Sequence, residues 1–214
     1  MADDIKVFSK GLERLTKELK GFEKEIGRAF FSAVNRTIDH TLTVTARTVS
    51  KTYNIKQADI KAGKGSRSKL PAVTVYVNRP SGQNPGGSVE FVGRTLTLMH
   101  FHFSPKKAFP LPKRTSREKT VKVKIKHSGG TKKLHTGPPP FVYKFSTNQN
   151  TNVWRRTGKK LYPIEPIRTV SVPQMITNAN VADTIIRSAA QMLDERMEHE
   201  IIRQMTSIGR KVRG

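Results

Sequence analysis

The 214-residue chain contains no cysteine. That excludes disulfides, thiolate zinc sites and a cysteine nucleophile, and it fits a reducing compartment. No apolar run approaches the ~20 residues of a membrane-spanning helix, so no membrane partner is expected. The amino-terminal Met1-Ala2-Asp3-Asp4 is acidic and lacks the apolar stretch of a secretion signal, so no cleavable signal is expected. Catalytic signatures are missing as well. There is no HExxH, no GxSxG and no carboxylate pair in a recognisable setting. Gly63-Lys64-Gly65-Ser66 lacks the GxxxxGKS/T spacing of a phosphate-binding loop. Of the 16 acidic residues, seven fall in residues 1–50 and five in 178–208, spaced as on ordinary helix surfaces. Neither an enzymatic activity nor a cofactor is expected.

What the chain has in excess is positive charge. The formal net charge is +24, with 35% hydrophobic residues, enough for a modest core. The charge is uneven. Residues 104–160 hold 16 Lys and Arg against one acid, Glu118, a net of +15. Residues 1–50 are near balance at +2, and residues 178–208 carry −2. A field this strong attracts polyanions whatever the fold.

Residues 9–50 read as a long helix. Leu12, Leu15, Leu19, Phe22, Ile26, Ala29 and Ala33 recur every three or four residues, and Ile38, Leu42, Ala46 and Val49 continue the stripe. Gly21–Gly27 is a candidate break. Unbroken, the helix would span ~63 Å, which suits an element shared between subunits; a broken helix packed on its own sheet is the other reading. Asn54 is a candidate cap for a short helix over Ile55–Ala62.

From Pro71 the period changes to two. Val73, Val75 and Val77 mark one strand, and Arg79–Gly87 is a turn. Val89 and Phe91 begin a second run that continues through Leu96, Leu98, Met99, Phe101 and Phe103, divided or bent at Gly93-Arg94. Ser104–Lys119 reads as an exposed basic loop. Thr120–Lys126 alternates Val121, Val123 and Ile125 with Lys122, Lys124 and Lys126, and Lys132–His135 can pair back on it. Phe141–Phe145 and Val153–Arg156 complete the strands. Asn178 or Asn180 can cap a last helix over 179–208, ended by Gly209, with Ile185, Ala189, Leu193, Met197, Ile201, Met205 and Ile208 as its stripe. The expected class is α+β: a long N-terminal helix, a central antiparallel sheet or partial barrel of about six strands, and a C-terminal helix. The regions are 1–62 helical, 63–177 basic and β-rich, and 178–214 helix with a basic tail, together one structural domain.

The stretch that organises the chain is Asn152–Met175. Pro163, Pro166 and Pro173 forbid a helix interior or a central strand there. Leu161, Tyr162, Ile164, Ile167, Val170, Val172 and Met175 are too apolar for a solvated loop. It reads as a buried, extended strap to the last helix, with Trp154, Tyr162, Pro163, Ile164 and Pro173 as its structural residues. Trp154 is expected in the core.

The same stretch resembles the phage minor tail protein Z family. Arg156-Thr157-Gly158-Lys159, Tyr162-Pro163-Ile164 and Ser171-Val172-Pro173-Gln174-Met175 occur in the family's order and at similar spacing, with Thr169-Val170 in place of the usual Gly-Pro. The resemblance implies a tail completion protein of a long-tailed phage. Its implied partners are other tail and neck proteins, and its implied locations are the virion and, during assembly, the host cytoplasm.

Three functional readings follow. In the first, the chain is a structural protein at the head–tail junction, self-associating as a ring and touching genomic DNA without sequence preference. In the second, it is a stand-alone nucleic-acid-binding protein. Candidate DNA contacts for either are Lys106, Lys107, Lys113, Arg114, Arg117, Lys122, Lys124, Lys126, Lys132, Lys133, Arg155, Arg156, Lys159 and Lys160, with Trp154 as a stacking ring. In the third, His100 and His102 at i, i+2 on one strand face, with His127 and His135, hold a metal for a nuclease. Leu96 and Leu98 share that face, so half-buried structural histidines fit as well, and no metal is expected.

Overall fold

The computed structural model describes residues 3–5, 23–60, 73–81, 86–107, 120–145, 151–160 and 162–212. Four helices are present among them: α1 (Glu23–Thr52), α2 (Gln57–Ile60), α3 (Val172–Ile176) and α4 (Ala179–Val212). The strands form three separate antiparallel sheets of three. The first is ordered β1 (Asp3–Ile5), β3 (Ser88–Gly93), β2 (Val73–Asn78). The second comprises β4 (His102–Ser104), β5 (Lys122–Lys124) and β6 (Lys132–Lys133), in that order. The third comprises β7 (Phe141–Tyr143), β8 (Asn152–Arg156) and β9 (Ile164–Pro166). The fold is α+β, and the sheets do not close into a barrel.

α1 and α4 run antiparallel: Arg36 meets Glu200, whereas His40, further along α1, meets Ser188, earlier in α4. Both helices bury every fourth residue, so that rows of the i±4 type meet. On α4 these are Val181, Ile185, Ala189, Leu193 and Met197. On α1 they are Ala29, Ala33, Thr37, Thr41, Thr45 and Val49. Thr37, Thr41 and Thr45 form the middle of that buried row. Thr37 and Thr41 tolerate burial because their hydroxyls donate to the carbonyls of Ala33 and Thr37, at 2.9 and 2.8 Å. The Thr45 hydroxyl is buried with no hydrogen-bond partner among the described residues.

Several expectations are corrected. α1 passes through Gly27 without a break, whereas Gly21 and the proposed upper part, with Leu12, Leu15, Leu19 and Phe22, lie outside the described residues. Asn54 does not cap a helix; its backbone N–H donates to Ile125 O at 2.7 Å and its side chain reaches Lys124 O. The run from Leu96 to Phe103 is not one strand, because Leu98–His100 forms a 3-10 turn before β4. Gly209 does not end α4, which continues to Val212.

Among the described residues there are two apolar clusters. The first joins α1, α3 and α4 to the first sheet and includes Ile38, Val75, Phe91, Leu96, Met175 and Ile185. The second joins the other two sheets through Leu98, Phe103, Val121, Val123, Val142 and Val153. Two seams connect them. The end of α1 is stitched to the segment after β5 by the Tyr53–Lys126 bridge and by His127 N–H to Thr52 O at 3.0 Å. The second seam is the strap. Residues 164–166 pair with β8, and Ile167 N–H donates to Val153 O at 2.9 Å. Leu98 N–H then donates to Ile167 O, Thr169 N–H to Leu96 O, and Leu96 N–H to Val170 O. β9 is an edge strand, which is where prolines 163 and 166 are allowed.

Burial along the strap is divided. Tyr162 is 65% exposed and Pro163 is also exposed, so the buried strap expected there is not observed at its start. Residues 164–167 are half-buried, and full burial begins at Ser171. There Ser171 and Gln174 form a reciprocal capping box with Pro173 in the first turn of α3. Val172, Pro173, Met175 and Ile176 are buried.

Glu200 is the fully buried acid of the α1–α4 seam. Its Oε2 accepts from Arg203 at 2.7 and 2.8 Å, and its Oε1 lies 3.5 Å from Arg36 Nε. Burial pushes its pKa up. Hydrogen bonds from Ser32 and Arg203, with the charges of Arg203 and Arg36, outweigh burial and leave it below the ordinary value. A lowered carboxyl pKa stabilises the fold above the unfolded value, and that contribution is lost as pH falls through the folded value. Glu200→Gln should therefore destabilise the protein at pH 7 by about 1–3 kcal/mol, at the lower end because both arginines are more than half exposed and rehydrate. The deficit should shrink below pH ~4.5, near the ordinary glutamate value. Urea unfolding at pH 7 and pH 3.5 measures it, and an unchanged deficit contradicts the assignment.

Candidate functional site

The second sheet presents the basic face. Partners directly opposite in an antiparallel pair share a face. Phe103 opposes Val123, and both are buried in the second cluster. The alternate positions therefore look outward. Lys122 lies between Ser104 and Lys133, and Lys124 lies opposite His102. Lys126, two residues on, is exposed with its ammonium 5.4 Å from the centre of the Tyr53 ring. Lys132 is exposed at the sheet edge.

Among the described residues, these charges have no carboxylate partners. Arg36, Arg79, Arg155, Arg187 and Arg203 carry ion pairs. Among the described residues, none of Lys122, Lys124, Lys126, Lys132 or Lys133 does. Like charges directly opposite on a sheet destabilise it, and the Lys122–Lys133 pair is such a case.

The remaining candidate contacts divide into groups. Lys106 and Lys107 are exposed just after β4, and Lys106 sits 4.2 Å from the Phe103 ring centre. Burial first, then the charge of Lys56, lowers the Lys106 pKa. Lys113, Arg114 and Arg117 lie outside the described residues. Arg155, Arg156, Lys159 and Lys160 belong to the third sheet, at the end where the chain turns from β8 to β9. Arg155 is neutralised by Glu165 at 2.6 Å, so it offers little free charge. Arg156 stacks over Phe141 at 5.4 Å.

Trp154 is corrected from the core to a half-exposed site. Val153 takes the buried position in β8, and strand alternation turns Trp154 to the opposite face. There Phe145 makes edge-to-face contacts with both Trp154 and Tyr143, at centroid distances of 4.7 and 4.8 Å. The Trp154 indole N–H donates to Tyr143 O at 3.2 Å. Tyr143 and Phe145 are 43% and 44% exposed. Reading the sequence missed this patch, although Tyr143 and Phe145 at i, i+2 with Trp154 across a hairpin is a detectable pattern.

The histidines do not assemble as the metal reading requires. His100 is in the 3-10 turn, and His102 is exposed on β4, so they do not share one strand face. Burial lowers the His100 pKa, opposed by the charge of Asp59. Among the described residues no three His, Asp or Glu side chains converge. No helix is long and apolar enough to cross a membrane among the described residues.

No curated protein and no solved structure matches the chain. The family model for prophage minor tail protein Z (GPZ) matches residues 9–211, nearly its whole length. That span takes in the stitched strap, both long helices and the basic sheet between them. The chain belongs to the prophage minor tail protein Z family, and with it to the minor structural proteins of phage tails.

Proposed function

We propose that this minor tail protein completes the tail at its junction with the head, as a non-enzymatic ring of copies whose basic face contacts genomic DNA without sequence preference. The observation that carries the DNA contact is the uncompensated lysine face of the second sheet. Family membership supports the tail location, and the head–tail junction and the completion step rest on the family resemblance. The ring rests on the physics of the long helices. Two helices of 30 and 34 residues extend ~45 and ~51 Å, long for a modest core, and a heterologous contact between copies closes into a ring when its rotation permits. A ring would place many copies of the basic face around one axis, where a polyanion offsets their mutual repulsion. A stand-alone nucleic-acid-binding protein would use the same face, and only loss of the gene separates the two readings.

Three outcomes test this. A phage carrying an early stop in this gene should make heads and tails that do not join into infectious particles; normal joining and infection would refute the tail-completion role. Binding to duplex DNA should be alike for all sequences and weaken steeply with salt, by about −0.9 in the log–log slope per neutralised phosphate. Replacing Lys122, Lys124 and Lys126 by Glu should reduce that slope by about 2–3 units, and a salt-independent affinity would count against the face. Finally, Lys133→Glu should raise the melting temperature at low salt, because it turns the Lys122 repulsion into attraction, while lowering DNA affinity. A fall in both would make Lys133 merely structural.

A further inference from the structure

The third sheet carries a surface that DNA contact does not account for. Tyr143, Phe145 and Trp154 form an aromatic patch in which Tyr143 and Phe145 are exposed. Along β8 beyond Trp154, toward the turn into β9, follow Arg156 and then the exposed Lys159 and Lys160. The rings meet edge to face and partly cover one another, and the indole N–H is satisfied by Tyr143 O. They do not present the open parallel faces onto which bases stack. Aromatic rings with the indole N–H already bonded, on a sheet that also carries Arg156 stacked over Phe141, have the composition of a protein-binding hot spot.

The same chain holds a surface of complementary chemistry. On α4, Gln191, Glu195, Glu198 and Ile202 recur at i, i+4, i+7 and i+11 and so form one stripe. Gln191 holds Glu195 through a 2.8 Å hydrogen bond. Glu198 is exposed, and Ile202 is 59% exposed, a large apolar side chain left in water beside two carboxylates. Residues 178–208 are the acidic part of a chain that is otherwise strongly basic. Within one copy the two surfaces belong to different cores: the patch lies on a sheet of the second cluster, and α4 packs in the first.

We infer that these surfaces meet between neighbouring copies, Ile202 of one seating on the aromatic patch of the next while Glu195 and Glu198 face its Arg156, Lys159 and Lys160. The contact is heterologous, since two different patches meet, and it is therefore the type that closes rings. It rests on the ring reading above and specifies which faces form it. The carboxylates also lower the electrostatic cost of gathering copies that each carry +24.

A charge-swap experiment on the full chain tests it. One variant carries Lys159→Glu and Lys160→Glu; the other carries Glu195→Lys and Glu198→Lys. All four side chains are exposed, so both variants should fold, with unchanged circular dichroism. Wild-type protein should self-associate as concentration rises, with a blue shift in emission from its single tryptophan, Trp154. Each variant alone should associate at least tenfold more weakly. An equimolar mixture should regain assembly, because every contact in an alternating ring then pairs opposite charges. Phe145→Ser should weaken assembly while leaving the salt slope of DNA binding unchanged. If either charge variant assembles as wild type, or mixing restores nothing, the faces are wrong while the ring stands. If wild-type protein stays monomeric in concentrated solution and in the virion, the ring and this contact both fall. If DNA, and not self-association, shifts Trp154 emission, the patch is a nucleic-acid surface and the inference is overturned.

Discussion

The hydrogen bonding of the strap is the constraint on which the rest of the structure depends. A segment with three prolines cannot satisfy its backbone in a helix interior or a central strand. Its polar groups must still find partners wherever they are buried. Here they do so on two sides in succession, first against β8 and then against residues 96–98. That double pairing ties the second cluster, through Val153 and Leu98, to the first, through Val172 and Met175. The capping box at Ser171 then sets where α3 begins and delivers the chain to α4. The stitch between the end of α1 and the segment after β5 closes the other side. Two seams orient the helical layer and its sheet against the two small sheets of the second cluster.

The helical layer tolerates polar groups because nearly all of them are bonded locally. Thr37 and Thr41 return their hydroxyls to their own helix, and Glu200 is met by two arginines and a serine. The small side chains at 29, 33, 37, 41 and 45 leave room for the larger ones on α4, so the two stripes interlock. His40, close to Ser188 at 2.9 Å, adds a polar contact at the same seam; burial foremost, with the charge of Arg47, holds its pKa down. Gly87 shows how tightly the first sheet approaches this layer. A Cβ there would come within 2.6 Å of Ile38 and 3.0 Å of Val34.

Charge is partitioned to match this architecture. Arg36, Arg79, Arg155, Arg187 and Arg203 are engaged with carboxylates, whereas on the second sheet Lys122 stands opposite Lys133. Pairs of the first kind are internal and position-specific. The second kind produces a field that any polyanion satisfies.

Much of this was legible in the sequence because it depends on local periodicity. Alternation at Val73–Val77 and Thr120–Lys126, the every-third-or-fourth stripe of the last helix, and the proline punctuation of residues 163–173 each act through backbone geometry that neighbouring residues set among themselves. The α+β class, the helix–strand–helix order, the basic middle and the family signature all follow from such short-range patterns. What periodicity cannot carry is which face meets which. Trp154 reads as a core residue because it is the largest apolar side chain in its strand, yet the register with β7 gives the buried position to Val153. Glu200 is one acid among several on its helix until Arg36, 164 positions away, arrives beside it. His100 and His102 share a face only if the strand between them is continuous, and a 3-10 turn removes that condition. Sequence determined the elements and the total field. The tertiary structure alone decided burial, pairing and the separation of the basic face from the aromatic patch, because those depend on contacts between residues far apart along the chain.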